Sequence, residues 1–213
     1  MLSVIVPIRN EPEIENFLHS LYHGLSITIA EFEIIIIVGN DDKLIPTIPI
    51  LPNLRVFTSY GDSLERAILT GFTVAKGDTM IVMDGDGSHD PLDIQKIVRG
   101  LDAHEMVVGS RFLKGSNFLQ NPFRKFISHV FIIWANMNGS RLSDPMSGFF
   151  GLRRELLKRI KFKPFKWKIC LEIELKAKPD LIEVPIKFRE RIRGVSKSTI
   201  MIGLKIFYDI FMQ

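Results

Sequence analysis

Residues 79–91 read Thr79-Met80-Ile81-Val82-Met83-Asp84-Gly85-Asp86-Gly87-Ser88-His89-Asp90-Pro91. A short apolar run, preceded by Gly77 and Asp78, ends in two carboxylates separated by one glycine. A run of that length between turn residues reads as a buried strand. Open α/β sheets bind their ligands at the carboxyl ends of such strands. Two carboxylates there can share a hard cation, which in turn can neutralise phosphate oxygens. Asp90 and Pro91 have the form of a helix N-cap and first helical residue. That assigns Asp90 to structure and leaves Asp84 and Asp86 for chemistry.

Four readings compete for this D-x-D: a calcium loop, a phosphatase with an aspartyl nucleophile, a metal site holding a nucleotide diphosphate, and a polar loop. An EF-hand loop needs Gly at its sixth position and Glu at its twelfth. Counted from Asp84, those positions are His89 and Gln95, so the calcium loop fails. The surroundings decide among the rest.

The 213 residues suit one domain with a sizeable core. A single cysteine, Cys170, excludes a disulfide framework and a cysteine metal cluster, and its apolar neighbours make it a core residue. The first strand begins without a basic leader, so no signal peptide is expected. No uninterrupted apolar stretch is long enough to span a membrane. The charge is unevenly placed. Residues 1–110 carry 7 Lys and Arg against 16 Asp and Glu, and residues 111–213 carry 21 against 8. An acidic half suits a cation, and a basic half suits phosphate groups or an anionic membrane.

Taken in order, residues 2–8 form a β-branched apolar strand. Ile14, Phe17, Leu18, Leu21 and Leu25 recur at helical spacing. Residues 32–38 are a second buried strand, 54–57 a third, 63–75 a helix, and 106–109 a fifth strand after the one quoted above. Strands alternating with helices predict a mainly parallel sheet covered on both faces. No G-x-G-x-x-G follows the first strand and no Walker loop exists, so neither a Rossmann dehydrogenase nor a P-loop enzyme is indicated.

Val4-Ile5-Val6-Pro7-Ile8-Arg9-Asn10-Glu11 resembles the opening of inverting family 2 glycosyltransferases of the GT-A fold. Gly61, Ala67, Gly71, Ala75, Gly77 and Asp78, leading into Met83-Asp84-Gly85-Asp86, are similar to the same family. Ser88-His89-Asp90-Pro91, Val108-Gly109-Ser110-Arg111, Arg124 with Ser128, and Asp144-Pro145-Met146-Ser147-Gly148-Phe149 narrow the resemblance to dolichyl (polyprenyl) phosphate mannosyltransferases. Glu183-Val184-Pro185-Ile186, Arg191, Gly194, Ser196 and Lys197 complete it. The match runs in order along almost the whole chain. It also argues against the phosphatase, whose D-x-D follows an early strand rather than the fourth.

The resemblance implies a GT-A-like α/β domain over residues 1–198, with a mixed, mainly parallel sheet and helices on both faces. Residues 199–213 would be an apolar helix, interfacial or leading to a membrane segment. The implied reaction transfers a hexose, mannose from GDP-mannose first and glucose from UDP-glucose as the rival, to a dolichyl or polyprenyl phosphate. The implied cofactor is Mg²⁺ or Mn²⁺, with Asp84, Asp86 and Ser88 in the metal loop. Pro7, Arg9, Glu11, Asn40, Asp84 and Lys197 are the implied nucleotide-sugar contacts. Arg111, Arg124, Ser128 and Arg191 are implied around the phosphates. Relatives commonly end the second strand in two aspartates; here Gly39-Asn40 stands in their place, with Asp41 and Asp42 displaced. The implied location is the cytoplasmic face of a membrane, as a peripheral protein.

Residues 157–167 interleave Lys158, Arg159, Lys161, Lys163 and Lys166 with Ile160, Phe162, Phe165 and Trp167. Such a run suits an anionic membrane or single-stranded nucleic acid. The lipid acceptor favours the membrane, and no nucleic-acid partner is expected. Residues 126–137 form an apolar helix for which core and lipid are both open. His89 is expected to make a hydrogen bond within the loop, and His19 and His23 lack company for a metal site. A non-catalytic sugar-nucleotide- or nucleic-acid-binding module is the alternative from another class.

Overall fold

Leu2–Ile8 (β1) and Phe32–Val38 (β2) are buried along their whole length, as branched apolar runs are when a parallel sheet is covered on both faces. In the computed structural model the residues described are 1–39, 48–116, 122–162 and 168–189, and for 122–127 only the helical backbone. Asn40, Asp41, Asp42, residues 163–167, Arg191, Gly194, Ser196, Lys197 and the helix expected over 199–213 lie outside them.

The further strands are Leu54–Thr58 (β3), Thr79–Val82 (β4), Met106–Ser110 (β5), Phe150–Arg153 (β6) and Leu181–Pro185 (β7). Among the described residues they form one sheet in the order β3-β2-β1-β4-β6-β5-β7. Alternate residues of β1 and β2 serve opposite faces. Val4, Val6, Ile34 and Ile36 pack against helices Ile14–Thr28 (α1) and Ile94–Leu101 (α3). Ile5, Ile35 and Ile37 pack against Leu64–Val74 (α2) and Ile169–Ala177 (α5). The local start signals act as expected. Ser63 caps α2 by accepting from the Arg66 amide. Asp90 accepts from the Leu92 amide and starts a 3₁₀ turn, Pro91–Asp93, that leads into α3.

Two features of the topology make the site. The chain leaves β1 towards β2 and β3, then returns to place β4 on the other side of β1. The gap beyond β1 and β4 is therefore a topological switch point, where doubly wound sheets bind ligands. Second, β6 runs antiparallel between β4 and β5, with Phe150 opposite Val82 and Val108. The segment that enters β6 consequently lies at the carboxyl ends of β4 and β5. β7, parallel to β5 with Pro185 opposite Ser110, finishes at the same rim.

The sheet is thus mixed and mainly parallel. The basic and aromatic run divides: Ile160 is buried, and Phe162 packs on the core beside Phe72, ring centroids 6.4 Å apart. Those two members belong to the core, because the 3₁₀ turn Arg154–Arg159 carries the chain back onto the α2 face; Lys158, Arg159 and Lys161 remain exposed. The apolar helix is Pro122–Met137 (α4), with Ala135 buried and Ile133 and Met137 exposed. Among the described residues no helix is long and apolar enough to cross a membrane.

Candidate active site

The loop after β4 is folded onto itself. Met83 still donates to the Ile5 carbonyl of β1 at 3.0 Å, so Asp84 is the first residue beyond the sheet. Gly87 has φ 75°, in the left-handed region that a side chain would strain. That turn brings Ser88 back to Asp86, whose Oδ1 accepts from the Ser88 amide at 3.0 Å and from its hydroxyl at 2.5 Å. Asp86 and Ser88 are buried, while the Asp84 side chain is 31% exposed. Ser88, expected with the cation ligands, gives its hydroxyl proton to Asp86 and so shapes the loop.

His89 differs from expectation. Its ring is buried between Phe149 and Phe188, with centroids 5.1 and 5.2 Å away. Neither ring nitrogen has a hydrogen-bond partner among the described residues. Nε2 lies 3.5 Å from Oδ2 of Asp84, beyond a normal hydrogen bond. An unsatisfied buried polar group costs about 1–3 kcal/mol. Gly148 also faces Asp84: a Cβ there would come within 2.4 Å of Oδ2. Glycine at that position lets the antiparallel segment approach the carboxylate.

The chain after β7 is stitched along this loop. Lys187 donates its amide to Asp93 Oδ2 at 2.7 Å, Arg189 donates its amide to the Ser88 carbonyl at 2.8 Å, and Phe188 bridges to His89. Arg189 also pairs through its guanidinium with Asp90 at 3.0 Å. This is the segment that leads to Arg191.

Arg111, just beyond β5, aims both Nε and Nη2 at Asp144, each at 2.7 Å, and its amide donates to the same carboxylate at 3.1 Å. Charge-assisted fork pairs of this kind are strong and directional. The Asp144 loop is itself held by Glu183, which accepts from the Ser143 amide, the Ser143 hydroxyl and the Asp144 amide at 2.8, 2.9 and 3.1 Å. The Arg111 guanidinium lies 5.3 Å from the Phe188 ring centroid. Phe188 therefore joins the Arg111 network to the loop that carries Asp84 and Asp86.

Pro7 is buried within β1, and Arg9 is exposed just past its end, with Nη1 donating to the Asp62 carbonyl at 3.2 Å. Glu11 is half-buried, and its carbonyl accepts from the Ile14 amide at the start of α1. Arg124 is in the first turn of α4, its side chain outside the described set, and Ser128 is half-buried one turn later. Asn40, Arg191 and Lys197 lie outside the described residues. The structure thus brings together Asp84, Asp86, Ser88 and Arg111 at one rim, with Pro7, Arg9 and Glu11 at the β1 side of the switch point. Sequence reasoning quoted Asp144 and Glu183 in motifs but gave them no role, and it missed Phe188 and Arg189. An acidic residue paired with an arginine in another motif was the available signal for Asp144; nothing marked Phe188.

Burial above all, and then the nearby Asp144, Glu174 and Glu183 carboxylates, hold the Cys170 thiol well above its usual range. It is a core residue and no nucleophile. Among the described residues no group of three or more His, Cys, Asp or Glu gathers as a metal cage. Two carboxylates suffice for Mg²⁺, which keeps waters and takes substrate phosphates in its remaining positions. Asp84 and Asp86 fit such an ion.

Comparisons with known proteins agree with this geometry. Residues 3–161 match the family described as glycosyl transferase family 2. The chain is 32% identical to a dolichol-phosphate mannosyltransferase of Pyrococcus furiosus, over 92% of this chain and 58% of that protein. It is 30% identical to one of Saccharomyces cerevisiae, over 92% of this chain and 80% of that one. It is also 30% identical to a UDP-N-acetylglucosamine--dolichyl-phosphate N-acetylglucosaminyltransferase of Methanococcus voltae, over 68% of this chain and 63% of that protein. Glucosyl-3-phosphoglycerate synthase of Mycobacterium tuberculosis, solved with Mn²⁺, uridine-diphosphate-glucose and phosphoglyceric acid, superposes with a TM-score of 0.72 at 16% identity, over 100% of this chain and 79% of that one. That likeness shows the shared GT-A fold. A D-x-D at the β1/β4 switch point and a family match over most of the chain lead to one conclusion: this chain belongs to glycosyl transferase family 2.

Proposed function

We propose that this chain transfers mannose from GDP-mannose to a dolichyl or polyprenyl phosphate, with inversion at the anomeric carbon and with Mg²⁺ or Mn²⁺ as cofactor. The observation that carries the reading is the pair Asp84 and Asp86 at the switch point, on the same rim as Arg111 and Ser110. The dolichol-phosphate mannosyltransferases of Pyrococcus furiosus and Saccharomyces cerevisiae, each aligned with 92% of the chain, support the acceptor class.

Asp84 and Asp86 would hold a divalent cation, which when bound would supply charge stabilisation for the departing diphosphate. Pro7, Arg9 and Glu11 stand where the nucleotide enters beyond β1, with Asn40 and Lys197 assigned to it by the resemblance. The acceptor needs no strong general base, because a phosphate monoester with a second pKa of about 6 is already ionised near neutral pH. It needs cations in fixed positions instead. Arg111, held by Asp144, provides an arginine that does not swing. Arg124, Ser128 and Arg191 complete the acceptor site in this reading. The basic second half rests on the cytoplasmic face of a membrane, where the lipid acceptor lies.

The test is incubation with polyprenyl phosphate in detergent, Mn²⁺ and labelled GDP-mannose, UDP-glucose or UDP-N-acetylglucosamine. The expected product is lipid-linked mannose. Lipid-linked glucose or N-acetylglucosamine instead reassigns the donor. Nucleotide-sugar binding without transfer from any donor makes the chain a binding module. Vesicles of anionic lipid should retain the protein at low salt and release it as salt rises, since exposed charges more than about 10 Å apart are screened near 0.1 M.

A further inference from the structure

We infer that His89 is a positioning residue for Asp84: its Nε2–H donates to Asp84 Oδ2 and fixes the carboxylate in the orientation a divalent cation requires. This rests on the reading of Asp84 and Asp86 as the cation ligands.

Three observations converge on it. His89 is 3% exposed and neither of its ring nitrogens has a hydrogen-bond partner among the described residues, which in a native fold calls for an explanation. Phe149 and Phe188 clamp the ring at 5.1 and 5.2 Å, so its direction is fixed by packing rather than by polar contacts. Within that clamp Nε2 lies 3.5 Å from Asp84 Oδ2. A closure of a few tenths of an ångström turns this approach into a hydrogen bond, since N–H···O bonds run at about 2.7–3.2 Å. Of the two side chains Asp84 is the partly exposed one, at 31% against 2% for His89. Gly148 faces the same oxygen, and the Cβ it lacks leaves the room the carboxylate occupies.

A direct ligand role for His89 does not fit. Both ring nitrogens are sealed from solvent by the two phenylalanines, so a cation held at the open rim does not reach them. A packing role alone does not fit either. A third phenylalanine would fill the clamp without burying two unsatisfied nitrogens. What imidazole adds over phenyl is a nitrogen 3.5 Å from a carboxylate of the proposed metal loop. Partners that orient ligating groups in this way change metal affinity by about 10–100-fold when removed.

The test uses the whole chain and Mn²⁺ alone, with free Mn²⁺ read by electron paramagnetic resonance and folding read by thermal melting. H89F should melt no lower than wild type and bind Mn²⁺ about tenfold or more weakly. H89Q, which keeps an N–H donor, should recover most of that loss. H89F with wild-type Mn²⁺ affinity overturns the inference, and so does H89Q that is as weak as a folded H89F. If H89F does not fold, H89M supplies the apolar variant against which H89Q is judged by the same criteria. Failure of the underlying reading looks different: wild type then retains no Mn²⁺ up to millimolar concentration, or D84A binds it as tightly as wild type does.

Discussion

Nε and Nη2 of Arg111 each lie 2.7 Å from an oxygen of Asp144, whose side chain is only 1% exposed. The pair spans 33 residues of sequence and ties the end of β5 to the loop that enters β6. Breaking one side of a buried pair leaves an uncompensated charge, at a cost of about 3–5 kcal/mol. Arg111→Ala should therefore lower unfolding stability by that order in a urea titration, and Arg111→Lys should recover part. A loss well under 1 kcal/mol for Arg111→Ala would show that Asp144 finds another partner.

Asp86→Ala removes a proposed cation ligand and the acceptor of two Ser88 hydrogen bonds. Transfer should fall by orders of magnitude, because the cation stabilises transition-state charge by several kcal/mol. The check is turnover with labelled donor at saturating Mn²⁺, beside the wild type with chelator. Full activity in both would remove the metal from the reaction.

Gly148→Ala puts a methyl group 2.4 Å from Asp84 Oδ2. The carboxylate can turn away, so the fold should survive while Asp84 is misplaced. A near-normal melting temperature with Mn²⁺ affinity reduced several-fold is the expected pair of results; unchanged affinity would mean Asp84 does not hold the ion in this orientation.

Arg124→Ala should slow transfer about tenfold to over a hundredfold at saturating donor, if a charge-assisted pair to the acceptor phosphate contributes about 1.5–3 kcal/mol. Nucleotide binding should change less. Arg124→Lys should recover part, since it keeps the charge and loses the fork. Transfer should also decline below about pH 6, as the acceptor phosphate is protonated. A wild-type rate in Arg124→Ala refutes this placement.

Glu33, buried in β2, tests the sheet's far side. Burial alone would raise its pKa, but the Lys76 amide, the Ser3 hydroxyl and Arg55 together outweigh it and hold the carboxyl below its usual value. A depressed folded-state pKa contributes stability above the unfolded value of 4.5, and that stability is lost as pH falls through the folded value. Unfolding of wild type and Glu33→Gln should accordingly differ at pH 7 and converge as acid is added. A gap that stays constant down to strong acid would exclude the carboxylate as its source.

The family was legible because its signals are local. Short isoleucine- and valine-rich runs such as 34–38 and 80–82 read as strands of a parallel sheet covered on both faces. Asp90-Pro91 is a helix start whatever surrounds it. The D-x-D at a strand's end was open to four readings by itself, and the ordered motifs along the rest of the chain chose among them. What the local pattern left open was partnership across the fold. β6 has four residues, and nothing in Phe150–Arg153 says that it runs antiparallel between β4 and β5. Yet that insertion brings Gly148 to Asp84, Phe149 to His89 and Asp144 to Arg111. Ile160 and Phe162 read as part of a membrane stripe until a 3₁₀ turn directed them inward. His89 read as a loop hydrogen-bonder until two phenylalanines, 60 and 99 residues further along, enclosed it. Spacing of 2 or 3.6 residues fixes which face a side chain serves; only the assembled sheet fixes what stands opposite it, because those neighbours are set by strand order and not by distance along the chain.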